Sequence, residues 1–543
     1  MEGDMGSFLE DLALKAITAV AGRSGVNEFL IDKLVDGARN RPHPWSTRYD
    51  YICWDGLTDR SYNARLLPAN RYPDAEAMRS RRPPENSVAA LFAPGPQGQR
   101  PCAKSTCLFP AFAQYLTDGF IRTQLSNDDA LTNRRRTTSN HEIDLSALYG
   151  RTRRQTDVLR LRSETAGHKG RLKTQTVGGE EWPPFLYRDD GSIDPHFLAD
   201  DGSQILDPPL GLDHATPEGK KSLFAVGGDR ANASPQVTMV NTLFLREHNR
   251  LAAMLDAQNP GWDDERVFQI ARNILIFMFI KIVVEEYINH INTSAFRFRA
   301  DPEVAWEADW NRPNWMTAEF SLLYRWHSLV PETLVWGGST LPGAGLLLDN
   351  RLVLRDGLAT SFAEISANNA MQIGLHNSAS FLIRAETKAV EQARVNHIDG
   401  YNAYRAAMGL DRAESFRDIV GKSKNAAEDA RRKALASELE ALYGTPDNVE
   451  FYVGLFAEPV GHNGPLPDLI LAMVAMDAFS QALTNPLLSR HVYGDPANRE
   501  LAFTAKGLEA IEATRTLRDI LTRNARGLGE RFVGMTRRDW RRD

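Results

Sequence analysis

Three side chains near the middle of the chain could do chemistry together. In Ala318-Glu319-Phe320-Ser321-Leu322-Leu323-Tyr324-Arg325-Trp326-His327-Ser328-Leu329-Val330-Pro331, a Tyr, a Trp and a His crowd the end of an apolar run that a proline stops. Tyr324 and His327 are three apart, so on a helix they would share a side. A neutral imidazole can ligate a metal. A phenol can pass a hydrogen atom or an electron to an oxidised cofactor. A histidine among apolar residues can equally be a hydrogen-bonded core residue, and this stretch alone leaves both readings open. A second polar pair, Gln114 and Asp118, lies four apart in 108–123. Phe112, Tyr115, Leu116 and Phe120 recur there at helical spacing. The pair can face one pocket or solvent.

The elements that must hold these groups are mostly helical. Period-3.6 patterns predict helices over 236–257, 263–291, 315–327, 359–383, 400–409, 427–443, 466–483 and 506–523. The stretch 164–223 is rich in Gly, Pro and Asp and reads as loops, and 39–108 as an irregular segment wrapped on a scaffold. Leu346–Leu348 followed by Leu352–Leu354 suits a small hairpin. The charges near 427–440 suit a solvated helix face. The fold expected is mainly α, with one large catalytic domain over 46–543. Residues 1–45 hold two short amphipathic helices, which either pack on the body or lie on a membrane surface.

Composition narrows the class. The chain has 543 residues, 42% hydrophobic and 25% charged, as in a soluble globular protein. A formal charge of −6 gives no reason to expect nucleic acid. Cys53, Cys102 and Cys107 cannot build a disulfide framework, and no CxxC occurs, so a reducing, cytoplasmic setting is expected. The N-terminus lacks the pattern of a secretory signal. The most apolar run, 274–284, is broken by Lys281 and reads as a buried core helix too short to span a bilayer. Phosphate loops, zinc-type Cys/His sets and GxSxG elbows are missing from the sequence.

One long match sharpens this. Gly228-Asp229-Arg230-Ala231-Asn232-Ala233-Ser234-Pro235, followed by Asn241-Thr242-Leu243-Phe244-Leu245-Arg246-Glu247-His248-Asn249-Arg250-Leu251-Ala252, resembles the peroxidase–cyclooxygenase superfamily, the animal-type haem peroxidases. Tyr51–Trp54, Ser61–Pro68, Ile143–Gly150, Ile280–Tyr287 and Ser437–Gly444 are similar to segments of its cyclooxygenase branch. The resemblance covers roughly 25–490; the branch's growth-factor-like module and disulfides are missing.

The resemblance implies roles. His327 matches the proximal haem ligand and Tyr324 the radical-forming tyrosine, which peroxidases without fatty acid oxygenation usually lack. Gln114 matches the distal Gln, but Asp118 stands where the distal His belongs. Arg230 falls where mammalian peroxidases carry a distal Arg; it can pair with Asp118 or stabilise a leaving oxygen. Thr117 and Ala233 replace the carboxylates that mammalian peroxidases esterify to haem, so non-covalent haem b is expected. Gly119 replaces a calcium-ligating Asp, so no calcium is expected at that position. On the substrate side, Arg39 matches the Arg that pairs with a fatty acid carboxylate, Ser294 replaces that Arg's partner Tyr, and Ser480 matches the channel Ser. Asp477 stands where a small apolar residue is expected, a costly place for an unpaired carboxylate. Tyr452 matches a Tyr linked to the proximal His through water.

The expected function is a haem-dependent dioxygenase of unsaturated fatty acids or similar lipids, using O2 and a peroxide activator. Three alternatives stay open: a haem peroxidase of small phenols or halide, an oxygenase of a polar substrate, and a non-catalytic haem-binding relative. A homodimer and a peripheral membrane contact are further expectations of the resemblance.

Overall fold

Helices carry the fold, and two long ones form its centre. In the computed structural model, which describes residues 24–35, 63, 65–67, 82–123, 136–294, 296–314, 316–461 and 464–540, the main helices are α1 (Ser24–Val35), α2 (Leu108–Asp118), α3 (Pro235–Gln258), α4 (Asp264–Ile282), α5 (Ala318–Leu323), α6 (Leu358–Ala367), α7 (Ile383–Val395), α8 (Ala426–Tyr443), α9 (Phe451–Ala457), α10 (Asp468–Leu483), α11 (Ala505–Glu512) and α12 (Leu517–Asn524). The described strands form three two-stranded antiparallel sheets. These pair β1 (Pro101–Thr106) with β6 (Asn369–Met371), β2 (Gln175–Val177) with β3 (Glu180–Trp182), and β4 (Thr333–Trp336) with β5 (Ser339–Pro342).

Local chemistry sets the two central helices. Extended Ser234 precedes Pro235 at the first position of α3, where a missing N–H costs nothing. Most of α3 is buried on every face, so its polar residues need partners. They have them. His248 lies between the Tyr149 hydroxyl and the Gly170 carbonyl, both at 2.8 Å. Glu247 accepts from Arg250, Arg523 and Asn524. Much of the motif that carried the resemblance is therefore scaffold. α4 starts on an Asp263 cap, with acids in its first turn and Lys281 in its last, as the helix dipole favours.

α4 packs on α3 and continues into a π-helical turn, Val283–Ile288, and a last helical turn, Asn289–Ile291. The stretch Asp264–Ile291 is long and apolar enough to cross a bilayer, but 83% of its most apolar window is buried in protein, so it is a core helix. The rings of Phe112, Tyr115, Phe244, Phe279 and Tyr287 interlock where α2, α3 and α4 meet. Each such ring contributes about 1.5–3 kcal/mol by leaving water.

Four expectations are corrected. The helix expected over 315–327 ends at Leu323, and His327 opens a separate 3-10 turn, His327–Leu329. Tyr324 stacks on Trp326, and residues two apart on a helix point to opposite sides, so the stack requires the break. The helix expected over 359–383 stops at Ala367, because the chain then pairs as β6 with β1. The helix over 506–523 is two, divided at a Thr516 and Asp519 capping box. The hairpin expected at 346–354 is instead a 3-10 turn and the helix Arg351–Asp356; the hairpin there is β4–β5, turning at Gly337 and Gly338, both at positive φ.

Candidate active site

α2 lies along the Tyr324–His327 segment and is fixed near both of its ends. Phe109 packs on Trp326 with ring centroids 5.6 Å apart, and Phe120, just past the helix, packs on Phe320 at 5.9 Å. Only Pro110 and Gln114 of the helix are not buried. Gln114 thus lies between the two ring contacts and is half-buried.

Asp118 closes that helix, 2% exposed. Both of its carboxylate oxygens are buried without a hydrogen bond. Arg230 reaches it, Nη1 to Oδ1 at 3.5 Å, as an ion pair too poorly aligned to count as a hydrogen bond. Gly228 allows this approach: a Cβ there would fall 2.1 Å from Asp118 Oδ2. Burial pushes the Asp118 carboxyl up to about 6, the neighbouring Asp229 adds to the rise, and Arg230 and Arg122 oppose it. Arg122 bridges Asp229 at 3.1 Å and Asp207 at 3.2 Å.

On the other side, Thr317 caps α5 by accepting from the Phe320 N–H. Glu319, fully buried, anchors the helix by accepting from the Tyr404 hydroxyl at 2.6 Å and the Leu66 N–H at 2.9 Å. Tyr324 then stacks on Trp326, centroids 4.7 Å apart and planes at 25°. Tyr324 is half-buried, its ring packed between those of Phe320 and Trp326. Burial raises its phenol above the ordinary range. The buried Tyr287 hydroxyl lies close enough for each phenol to shift the other, without a well-aligned bond between them. Tyr287 sits in the π-helical turn, a kind of irregularity often found at functional sites.

His327 keeps 22% of its side chain accessible while Trp326, Ser328 and Leu329 beside it are buried. Its Nδ1 faces Glu386 Oε1 at 3.3 Å, off the ideal hydrogen-bond angle. Glu386 also accepts from Ser378 and from Tyr452, each at 2.6 Å. Tyr452 therefore meets the His327 surroundings through a carboxylate.

These residues fit an iron porphyrin. A partly accessible imidazole has one nitrogen turned to a carboxylate and the other left for a metal. Buried Asp118 oxygens and the buried Arg230 Nη1 lack hydrogen-bond partners, the polar groups that a bound oxygen ligand or water would satisfy. Thr117 Oγ1 donates to the Ala113 carbonyl at 2.9 Å, and Ala233 carries no side-chain oxygen.

The substrate-side residues are less unified. Ser480 Oγ donates to carbonyls of its own helix, Met476 at 2.9 Å and Asp477 at 3.1 Å. Asp477 is buried on α10, which packs against the π-helical turn of Tyr287. Ser294 Oγ accepts from the Phe296 N–H at 3.3 Å in the loop after that turn. Arg39 lies outside the described residues. Sequence reasoning missed Tyr287, Asp229 and Glu386 as site residues. The first two sit inside quoted matching runs; Glu386 has no motif around it and only the fold reveals it.

Comparison with known proteins agrees with this geometry. The animal haem peroxidase family profile matches residues 108–532. Prostaglandin G/H synthase 2 of Bos taurus is 28% identical over 497 residues, covering 90% of this chain and 74% of that one. Prostaglandin G/H synthase 2 of Equus caballus is 30% identical over 464 residues, covering 82% and 69%. Among solved structures, Oryza sativa fatty acid alpha-dioxygenase aligns with a TM-score of 0.68 at 14% identity, covering 94% of this chain and 92% of that one. Peroxidase A of Dictyostelium discoideum aligns at 0.66 with 17% identity, covering 88% and 95%. The helical fold is shared with both solved structures. A profile match across most of the chain, with a partly accessible histidine close to a stacked tyrosine and a buried carboxylate–arginine pair at the end of α2, leads to one assignment: the chain belongs to the animal haem peroxidase family.

Proposed function

We propose that the chain is a haem-dependent dioxygenase of unsaturated fatty acids or similar lipids, with His327 as the iron ligand and Tyr324 as the residue that takes hydrogen from the substrate. The observation that carries this reading is Tyr324, a half-buried phenol three residues before His327, with the Tyr287 hydroxyl beside it. Relatives named prostaglandin G/H synthases and fold neighbours named fatty acid alpha-dioxygenases support the same chemistry.

Haem bound at His327 supplies the oxidising equivalent, drawn from a peroxide. The protein's own groups do the rest. Asp118, when ionised, takes a proton, and Arg230 stabilises negative charge left on an oxygen. Tyr324 gives up its phenolic hydrogen, and the resulting oxygen radical takes a weakly held allylic hydrogen from the lipid. Tyr287 holds the Tyr324 hydroxyl in place; O2 adds to the carbon radical, and the peroxyl radical takes a hydrogen from the re-formed Tyr324 hydroxyl, giving the hydroperoxide and the tyrosyl radical again. Gln114, half-buried one turn before Asp118 on α2, orients polar groups on that side. Haem b is held without a covalent bond, because the Thr117 hydroxyl is tied to its own helix and Ala233 offers no oxygen. Gly119 offers no side-chain ligand for calcium. Exposed Phe29 and Leu34 on α1 support a peripheral membrane contact. Free, buried Cys102 and Cys107 are consistent with a reducing compartment.

A second reading, peroxidation of small phenols or halide, is favoured by the Asp118–Arg230 pair. Oxygen uptake by haem-loaded protein on a panel of fatty acids, with guaiacol and iodide turnover in parallel, tests both. Uptake on a lipid supports the dioxygenase; guaiacol or iodide turnover with no uptake on any lipid selects the peroxidase.

A further inference from the structure

Behind His327 lies a carboxylate that neither the motifs nor the family match assigns. Glu386 comes from α7, Tyr452 from α9, and Ser378 from the segment preceding α7. Glu386 is 1% exposed. Its Oε2 accepts from the Tyr452 hydroxyl and its Oε1 from the Ser378 hydroxyl, both at 2.6 Å. The third group facing it is His327 Nδ1, 3.3 Å from Oε1. Tyr452 is held as a neutral donor, its phenol pushed well up by burial and then by Glu386. Two neutral hydroxyls orient a buried carboxylate but do not balance its charge. The imidazole N–H contacts the carboxylate and can share that charge, with the Arg325 guanidinium acting from farther off through Tyr452.

From this arrangement we infer that Glu386 is a positioning residue for His327, fixing its tautomer and raising the basicity of the nitrogen that meets the iron. This rests on the haem reading above. An ionised carboxylate only accepts hydrogen bonds, so Nδ1 must carry the hydrogen and Nε2 keeps its lone pair for a metal. Drawing the Nδ1 hydrogen toward Oε1 moves electron density to Nε2, and a more basic ligand favours the ferric over the ferrous state. The present angle is imperfect. The ring is one-fifth accessible, so it has room to turn onto Oε1. Ser378 and Tyr452 hold the carboxylate still while it does.

The test is the Fe(III)/Fe(II) reduction potential of haem-loaded protein, with the iron–histidine stretch by resonance Raman as a second readout. Wild type is compared with Glu386→Gln, which keeps shape and loses charge, and Tyr452→Phe, which keeps the charge and loses one donor. In Glu386→Gln we expect the equilibrium to shift at least about tenfold toward the ferrous state, 59 mV for a one-electron couple, with a lower iron–histidine frequency. Tyr452→Phe should shift it less. If Glu386→Gln does not hold haem, Glu386→Asp, whose carboxylate is withdrawn by one methylene, must raise the potential. An unchanged potential with haem on His327, in Glu386→Gln or in its Glu386→Asp substitute, overturns the inference and leaves the proposed function standing. If wild type binds no haem, or haem-loaded His327→Ala shows an unchanged spectrum, the proposed function falls and this inference with it.

Discussion

The Tyr324 ring stacks on that of Trp326, centroids 4.7 Å apart and planes 25° from parallel, and Trp326 packs in turn on Phe109 of α2 at 5.6 Å. The candidate radical residue is thus fixed to the distal helix through one indole. Trp326→Ala should destabilise the protein by about 3–5 kcal/mol, as expected for loss of a buried aromatic. Trp326→Phe, which preserves a ring, should cost far less. Urea denaturation of the two variants measures the difference.

Tyr287 touches the chemistry only through Tyr324. Tyr287→Phe removes its hydroxyl and leaves its packing on Phe109 and Phe112. Fatty acid oxygenation should fall about tenfold, the scale of a modest loss of positioning, while guaiacol oxidation stays near wild type. Equal losses in both assays would show that Tyr287 does not act on Tyr324.

Asp118 gives the site a pH signature. Its carboxyl is raised from 3.8 to about 6, so the base form appears only as pH passes that value. Peroxide-dependent turnover should rise through pH ~6. Asp118→Asn should lose about 10²–10⁴-fold and abolish the step. Stability should move the other way. The folded carboxyl binds its proton more tightly than the unfolded one, so the contribution of Asp118 to stability is fullest below 3.8 and falls until about 6. Asp118→Asn should flatten that fall, measured by denaturation midpoints at pH 4 and 7.

Glu319 anchors α5 from below. Tyr404→Phe deprives a fully buried carboxylate of one of its donors. The loss should be about 1–3 kcal/mol, read by urea denaturation, with haem absorption retained.

Haem attachment is testable without turnover. Acidified acetone should remove all porphyrin from the loaded protein after reaction with peroxide. Porphyrin that stays with the denatured chain would contradict the roles given to Thr117 and Ala233.

What could be read ahead of the fold followed periodicity and motif. α3, α8 and α10 are long and uninterrupted, and their spacing placed them within a residue or two. Breaks were harder. Tyr324–His327 looks helical because its apolar spacing is helical, yet stacking on Trp326 overrides it. The 359–383 pattern hid a strand whose partner lies at Pro101–Thr106, far away in sequence. His327, Tyr324 and Arg230 stand out as candidates from their motif runs. Glu386 does not, because its role exists only where α7 and α9 converge behind His327.

The most direct test is freeze-quenched electron paramagnetic resonance of haem-loaded protein after peroxide, comparing wild type with Tyr324→Phe. A tyrosyl signal in wild type that is lost in Tyr324→Phe, together with lipid oxygen uptake, is the expected result. The same signal and full oxygen uptake in both proteins would contradict the role of Tyr324.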